Sequence, residues 1–152
     1  MELKLPYPPI AENAAVHAAI AVNAAWEISR VDLDYSVQSL NRVDEILEEF
    51  RRRGTPVASV TGTLCNFGCY VGEVFVRHAQ GSWVDLEHSP MTGAGSQYIV
   101  IELPAQLFCN PIGKVFKRLE NGEEDSVAYF YKVFAERAQA GKPWWKRWGR
   151  GE

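Results

Sequence analysis

The chain has 152 residues, 47% hydrophobic and 23% charged, with a formal net charge of −3. That length suits one domain with its own core, and the mild acidity excludes a chain drawn as a whole to nucleic acid. No run approaches the roughly 20 apolar residues that span a bilayer, and an odd set of three cysteines points to free thiols in a cytoplasmic protein rather than a disulfide framework.

Residues 1–10 read as extended, because Pro6, Pro8 and Pro9 fix φ and remove backbone donors. The alanine-rich run AENAAVHAAIAVNAAWEISR follows. Glu2 offsetting Lys4, the prolines, and Glu12-Asn13 at its start argue against a secretory leader. It reads as a helix with Val16, Ile20 and Trp26 among alanines, and so many small residues predict close packing against neighbours. In VDLDYSVQSLNRVDEILEEFRRRG, Leu40, Val43, Leu47 and Phe50 form one helical stripe. Asp34 or Ser36 can cap this helix, Arg51, Arg52 and Arg53 suit the negative end of its dipole, and Gly54 follows its end.

Thr55-Pro56 has the form of an N-cap followed by proline at the first helical position. A third helix is therefore expected from there to about residue 79, with Val60, Leu64, Phe67, Val71 and Val74 inward and Gly81 beyond it. SWVDLE and QYIVIEL read as two strands joined by the turn-rich HSPMTGAGS, and AQLFC as a short third strand. Asn110-Pro111 is a second cap-and-proline pair, opening a helix that ends at Asn121-Gly122. Glu123, Glu124 and Asp125 then begin a last helix with Val127, Phe130, Phe134 and Ala138 inward, ended by Gly141 and Pro143.

These elements make an α+β protein. Four to five helices pack on a small antiparallel sheet of two to three strands, in a single domain over residues 1–141. A basic, Trp-rich tail follows at 142–152. The tail is net +3, which leaves the body at −6.

The chemistry is sparse. Cys65 and Cys69 are four apart on one helix face, a spacing that would let two thiolates and Cys109 hold a metal, but their apolar setting favours buried free thiols. His17, His78 and His88 belong to no nucleophile or metal motif. Gly93 and Gly95 lie between strands, not at a strand-to-helix turn, so they do not make a phosphate loop. No residue pattern calls for a cofactor or a metal. Gly68 and Gly72 interrupt an apolar helix, and Glu73 follows directly. Glu73 and Arg77 have the i,i+4 spacing of an ion pair. An enzyme would use Glu73 as a base tuned by Arg77. A structural reading makes the glycines a close approach, to the first helix or to the segment from Asn110, with Glu73 as a charged clasp. Lys114, Lys117 and Arg118 face Glu123, Glu124 and Asp125 across the Asn121-Gly122 turn. In the tail, Trp144, Trp145, Lys146, Arg147 and Trp148 combine aromatic and basic groups. They are candidates for partner binding, for a membrane surface or nucleic acid, or for folding back on the core.

The segments LDYSVQSLNRVDEIL, GCYVGEVFVRHAQGSW and NPIGKVFKRLENGEEDSVAYFY span roughly residues 33–134. Together they resemble a family of small uncharacterised bacterial proteins, a domain of unknown function. The resemblance rests on Tyr70-x-Gly72-Glu73 followed by Gly81-x-Trp83, and on NPIGKVFKRLENGEEDS. The candidate site residues are accordingly Gly68, Tyr70, Gly72, Glu73, Arg77, Trp83, Asn110, Lys117, Arg118 and Asp125. The resemblance carries no activity; some look-alikes are encoded in the manner of immunity or secretion-associated proteins. The expected function is a non-catalytic cytoplasmic protein-binding domain, immunity- or antitoxin-like, whose acidic body suits a basic partner. The alternatives are an enzyme or metal protein built on Glu73, Arg77 and Cys65/Cys69, and a membrane- or nucleic-acid-associated module using the tail.

Overall fold

The computed structural model of the chain describes residues 7–91 and 98–141. The expectations for Pro6, for the loop glycines Gly93 and Gly95, for Pro143 and for the tail residues Trp144, Trp145, Lys146, Arg147 and Trp148 lie outside the described residues.

Within them the chain folds as α+β. The helices are α1 (Ala14–Ser29), α2 (Ser39–Arg52), α3 (Thr61–His78), α4 (Pro111–Asn121) and α5 (Val127–Ala140), and the strands are β1 (Ser82–Val84), β2 (Val100–Leu103) and β3 (Leu107–Cys109). The sheet is antiparallel in the order β1-β2-β3, with Ile101 opposite Trp83 on one side and Cys109 on the other.

Helix α3 is the axis of the molecule. Every residue from Leu64 to Phe75 is buried, because α1, α4 and the sheet cover it on different sides. This explains why its sequence is apolar nearly all round. Helix α1 meets α3 through alanine: Ala14, Ala18, Ala21 and Ala25 are wholly buried, whereas Val16 and Trp26 face outward. Small side chains bring the helices close, so the larger apolar residues lie on the other side. His17 is buried in the same seam, its Nδ1 3.1 Å from the Asn66 side chain and its Nε2 3.2 Å from the Pro8 carbonyl. It ties the segment before α1 to α3.

Helix α2 buries Leu40, Val43, Ile46 and Leu47, the expected stripe, with Phe50 half-buried at its end. Ser36 Oγ accepts from the Ser39 amide, and Asp34 accepts from the Ser36 amide instead of capping the helix. Helix α4 begins as predicted: Asn110 Oδ1 accepts from the Gly113 amide at 2.9 Å, and Pro111 occupies the first turn, where its missing N–H costs nothing.

Several boundaries differ from the sequence reading, among them the starts of β2 at Val100 and β3 at Leu107, later than expected. Pro56 is extended (ψ 137°), so Thr55-Pro56 leads into a 3-10 turn, Val57–Ser59, and α3 starts only at Thr61. Pairing of the first strand stops at Val84, and Leu86–His88 forms another 3-10 turn. The acids Glu123, Glu124 and Asp125 lie in a third, Gly122–Asp125, and Ser126 is the N-cap of α5. A run of acids suits a helix start electrostatically, but the cap needs a side chain that can reach back to the third amide, and Ser126 supplies it.

Candidate functional site

The two glycines of α3 are packing sites of different kinds. At Gly68 a Cβ would lie 2.5 Å from Ile112 Cα, so α4 approaches backbone to backbone. The segment from Asn110 is thus the neighbour that Gly68 admits. At Gly72 a Cβ would fall within the indole of Trp83. The ring lies flat where a side chain would stand, and its Nε1–H donates to Glu73 Oε2 at 2.9 Å. Gly72, Glu73 and Trp83 therefore act together. The glycine makes room for the indole, the carboxylate satisfies its donor, and β1 is fastened to α3.

The expected Glu73–Arg77 ion pair is not formed. Arg77 lies over the Tyr35 ring, its guanidinium carbon 3.6 Å from the ring centroid. A flat aromatic face supplied by the α1–α2 loop suits a guanidinium at the exposed end of α3. Glu73 is buried and is held by the indole N–H of the half-buried Trp83.

Tyr35 itself is a site the sequence did not mark. Its φ of 64° is left-handed, which is costly for an aromatic residue. Its surroundings fix that conformation. The Tyr35 amide donates to Tyr70 Oη at 2.8 Å, and the His78 Nε2–H donates to the Tyr35 carbonyl at 2.8 Å. The Tyr35 ring packs on that of Tyr70, with centroids 4.9 Å apart. Tyr70 Oη also lies 2.6 Å from Ser39 Oγ, whose own hydroxyl donates to the Ser36 carbonyl, so the tyrosine hydroxyl donates to Ser39. Burial pushes the Tyr70 phenol above its ordinary range. Tyr70 is thus a pillar holding the α1–α2 loop on α3.

The second cluster joins α2, α4 and α5. Arg118, almost fully buried, donates from Nε to Asp44 Oδ1 at 3.2 Å and from Nη1 to Glu48 Oε1 at 2.9 Å. The Arg118 guanidinium holds the Glu48 carboxyl below its ordinary range. Asp44 does more. Its two oxygens accept from the amides of Val127 (2.8 Å) and Ala128 (3.0 Å) and from the Ser126 hydroxyl (2.9 Å). Ser126 Oγ in turn accepts from the Tyr129 amide. The first three amides of α5, which have no intrahelical acceptor, are all satisfied, two of them by a carboxylate from another helix. Beside this cluster, Lys114 bonds Asp125 at 2.6 Å and the Asn121 side-chain amide donates to the same carboxylate at 2.7 Å. The Lys114 ammonium and then Asn121 hold the Asp125 carboxyl below its ordinary range. Lys117 is exposed on the same helix.

The candidate residues thus fall into separate groups. Gly72, Glu73 and Trp83 form one, Tyr70 and Arg77 meet around Tyr35, Gly68 and Asn110 serve the start of α4, Arg118 joins α4 to α2, and Asp125 pairs with Lys114 and Asn121 of α4. Cys65, Cys69 and Cys109 are buried free thiols. Cys69 is pushed far up by its hydrogen bond to Cys65 and by burial, and Cys109 by burial. Among the described residues no group of three or more His, Cys, Asp or Glu is arranged to hold a metal ion. No helix among them is long and apolar enough to cross a membrane.

What the charged cluster presents outward is a cleft of about 540 Å³ lined by Asn41, Asp44, Glu45, Glu48, Arg52, Arg118, Glu123 and Ser126. Four carboxylates face two guanidiniums. Arg118 is spent on Asp44 and Glu48, and Arg52 lies 3.4 Å from Glu48. Glu45 and Glu123 are exposed and enter no ion pair among the described residues, so the rim is acidic. In the acidic run DEILEE, residues 44–49, Asp44 caps α5, Glu48 pairs with Arg118 and Glu45 stays exposed on the rim. No family model, curated protein or solved structure matches this chain.

Proposed function

We propose that this is a non-catalytic protein-binding domain whose acidic cleft, between α2 and the start of α5, receives a basic segment of a partner protein. The observation that carries the reading is the cleft itself: a rigid floor of paired Asp44, Glu48 and Arg118 beneath the uncommitted carboxylates of Glu45 and Glu123. Acidic groups on a preorganised frame steer a cationic partner and fix its orientation. The body charge of −6 acts in the same direction. A cytoplasmic immunity or antitoxin role is the concrete form we propose, with a basic toxin as partner. The enzyme reading draws no support from the geometry, because Glu73 and Arg77 serve different neighbours.

The test is affinity capture from the native host with the wild-type chain and with the E45K/E123K variant, at low and high salt, followed by direct titration of the captured protein. Binding that weakens with salt and is lost in the variant supports the proposal. Nothing above background, or equal binding by both chains, contradicts it.

A further inference from the structure

A different face of the molecule carries a separate conclusion. Among the described residues the exposed large hydrophobics are Tyr7, Ile10, Val16, Trp26, Ile28 and Tyr129; Val16 and Trp26 share the outer side of α1, whereas Ile28 stands on the side of the buried alanines. Helix α1 buries its alanine face on α3, and among the described residues its outer face is exposed. Between Ala14 and Trp26 it has no acidic or basic residue save the buried His17. Val16 and Trp26 expose apolar surface on this uncharged face, and apolar surface rimmed by polar residues marks an interaction site.

The outer face has an order of its own. Glu12, Val16, Ala19, Asn23, Trp26 and Arg30 are all exposed and follow one another at alternating steps of four and three, the seam spacing of paired helices. Glu12 sits in the 3-10 turn Ala11–Asn13 that leads into the helix, and Arg30 is its C-cap, folded back over Trp26 at 5.5 Å. The stripe is palindromic in chemistry. Laid antiparallel on a copy of itself so that Glu12 meets Arg30, it also sets Val16 against Trp26 and Ala19 against Asn23. Acid meets base at both ends, large apolar meets small apolar between them, and the one polar residue sits near the centre, where an asparagine fixes register. Antiparallel helices also oppose their dipoles favourably.

We propose that the outer face of α1 is a homodimer interface in which two copies pair antiparallel about a two-fold axis that passes between Ala19 and Asn23. An isologous contact of this kind closes on itself and leaves no open end. One pair of 16-residue helices, about 24 Å long, buries less than a standard interface, so the dimer is a weak, micromolar one.

The experiment is sedimentation velocity of the full chain from about 5 to about 500 µM in low salt, a span chosen to bracket micromolar association. It is run on wild type, E12K, R30E and E12K/R30E. Wild type should dimerise. Each single reversal occurs twice across the two-fold axis and should weaken dimerisation about tenfold, and the double reversal should restore it. Thermal melts of the four chains should coincide, because both residues are exposed. A wild type that stays monomeric throughout overturns the proposal, as would follow if residues 142–152 or another protein covered the stripe. A dimer indifferent to the single reversals, or not restored by the double one, overturns it too.

Discussion

Replacing Asp44 with alanine should cost more than any other single change on the surface of α2. The carboxylate accepts from two backbone amides at the start of α5, from the Ser126 hydroxyl and from Arg118. Loss of the cap alone costs about 1 kcal/mol. Arg118 is nearly fully buried, and leaving a buried charge without a partner costs about 3–5 kcal/mol. Here Glu48 still holds Nη1, so about 2 kcal/mol of that is expected. The sum is about 3 kcal/mol, or a fall in Tm of roughly 6–12 °C for a chain of this size. Chemical denaturation with an unchanged m-value measures the loss, and amide exchange should quicken first at Val127 and Ala128. Ser126→Ala, which removes only the local part of the cap, should cost about 1 kcal/mol. If Asp44→Ala costs under 1 kcal/mol, or exchange quickens uniformly, the inter-helix cap is not what holds α5.

Three further outcomes follow from the same contacts. Gly72→Ala should destabilise the fold by about 1–2 kcal/mol despite alanine's better helix propensity, because its Cβ collides with the Trp83 indole; a stabilised variant in thermal melts would show that the indole moves freely. Tyr70→Phe leaves the amide of left-handed Tyr35 without its acceptor and should cost about 1–2 kcal/mol, with faster exchange at that amide. Asp125 has its folded pKa held below the ordinary 3.8, so the unfolded chain takes up the proton first. The stability from its pair with Lys114 is complete above about pH 5 and is lost as pH falls through the lowered value, and Asp125→Asn should flatten that acid limb in urea titrations.

The local signals in the sequence were reliable where a few neighbouring residues decide the outcome. Asn110-Pro111 fixes the start of α4 because cap, proline and acceptor lie within one turn. The stripe of α2 is legible because its partners all lie on one side. Gly68 announced a close approach and the segment from Asn110 makes it through Ile112, whereas Gly72 admits not a backbone but the Trp83 indole from β1, which the sequence did not signal. What the sequence hid depends on distant partners. The i,i+4 spacing of Glu73 and Arg77 says nothing of an indole N–H arriving from β1, or of a tyrosine face arriving from the α1–α2 loop. Asp44 looked like one more acid of DEILEE, yet the amides it caps lie more than eighty residues away. In α1 the alanines make the close packing that their number predicted, and what the sequence left open was that Val16 and Trp26 face outward. Thr55-Pro56 has the residues of a helix start without the backbone, since Pro56 stays extended.

The account holds that Glu73 is a structural clasp and that binding resides on the acidic rim. The direct measurement is one titration of the captured basic partner against wild type, E73Q and E45K/E123K, with a thermal melt of each chain. E73Q should bind like wild type while melting lower, because it weakens the hydrogen bond to Trp83, and E45K/E123K should melt like wild type while losing the partner. If E73Q keeps its melting temperature and loses binding or activity, Glu73 is the functional group and the account is wrong.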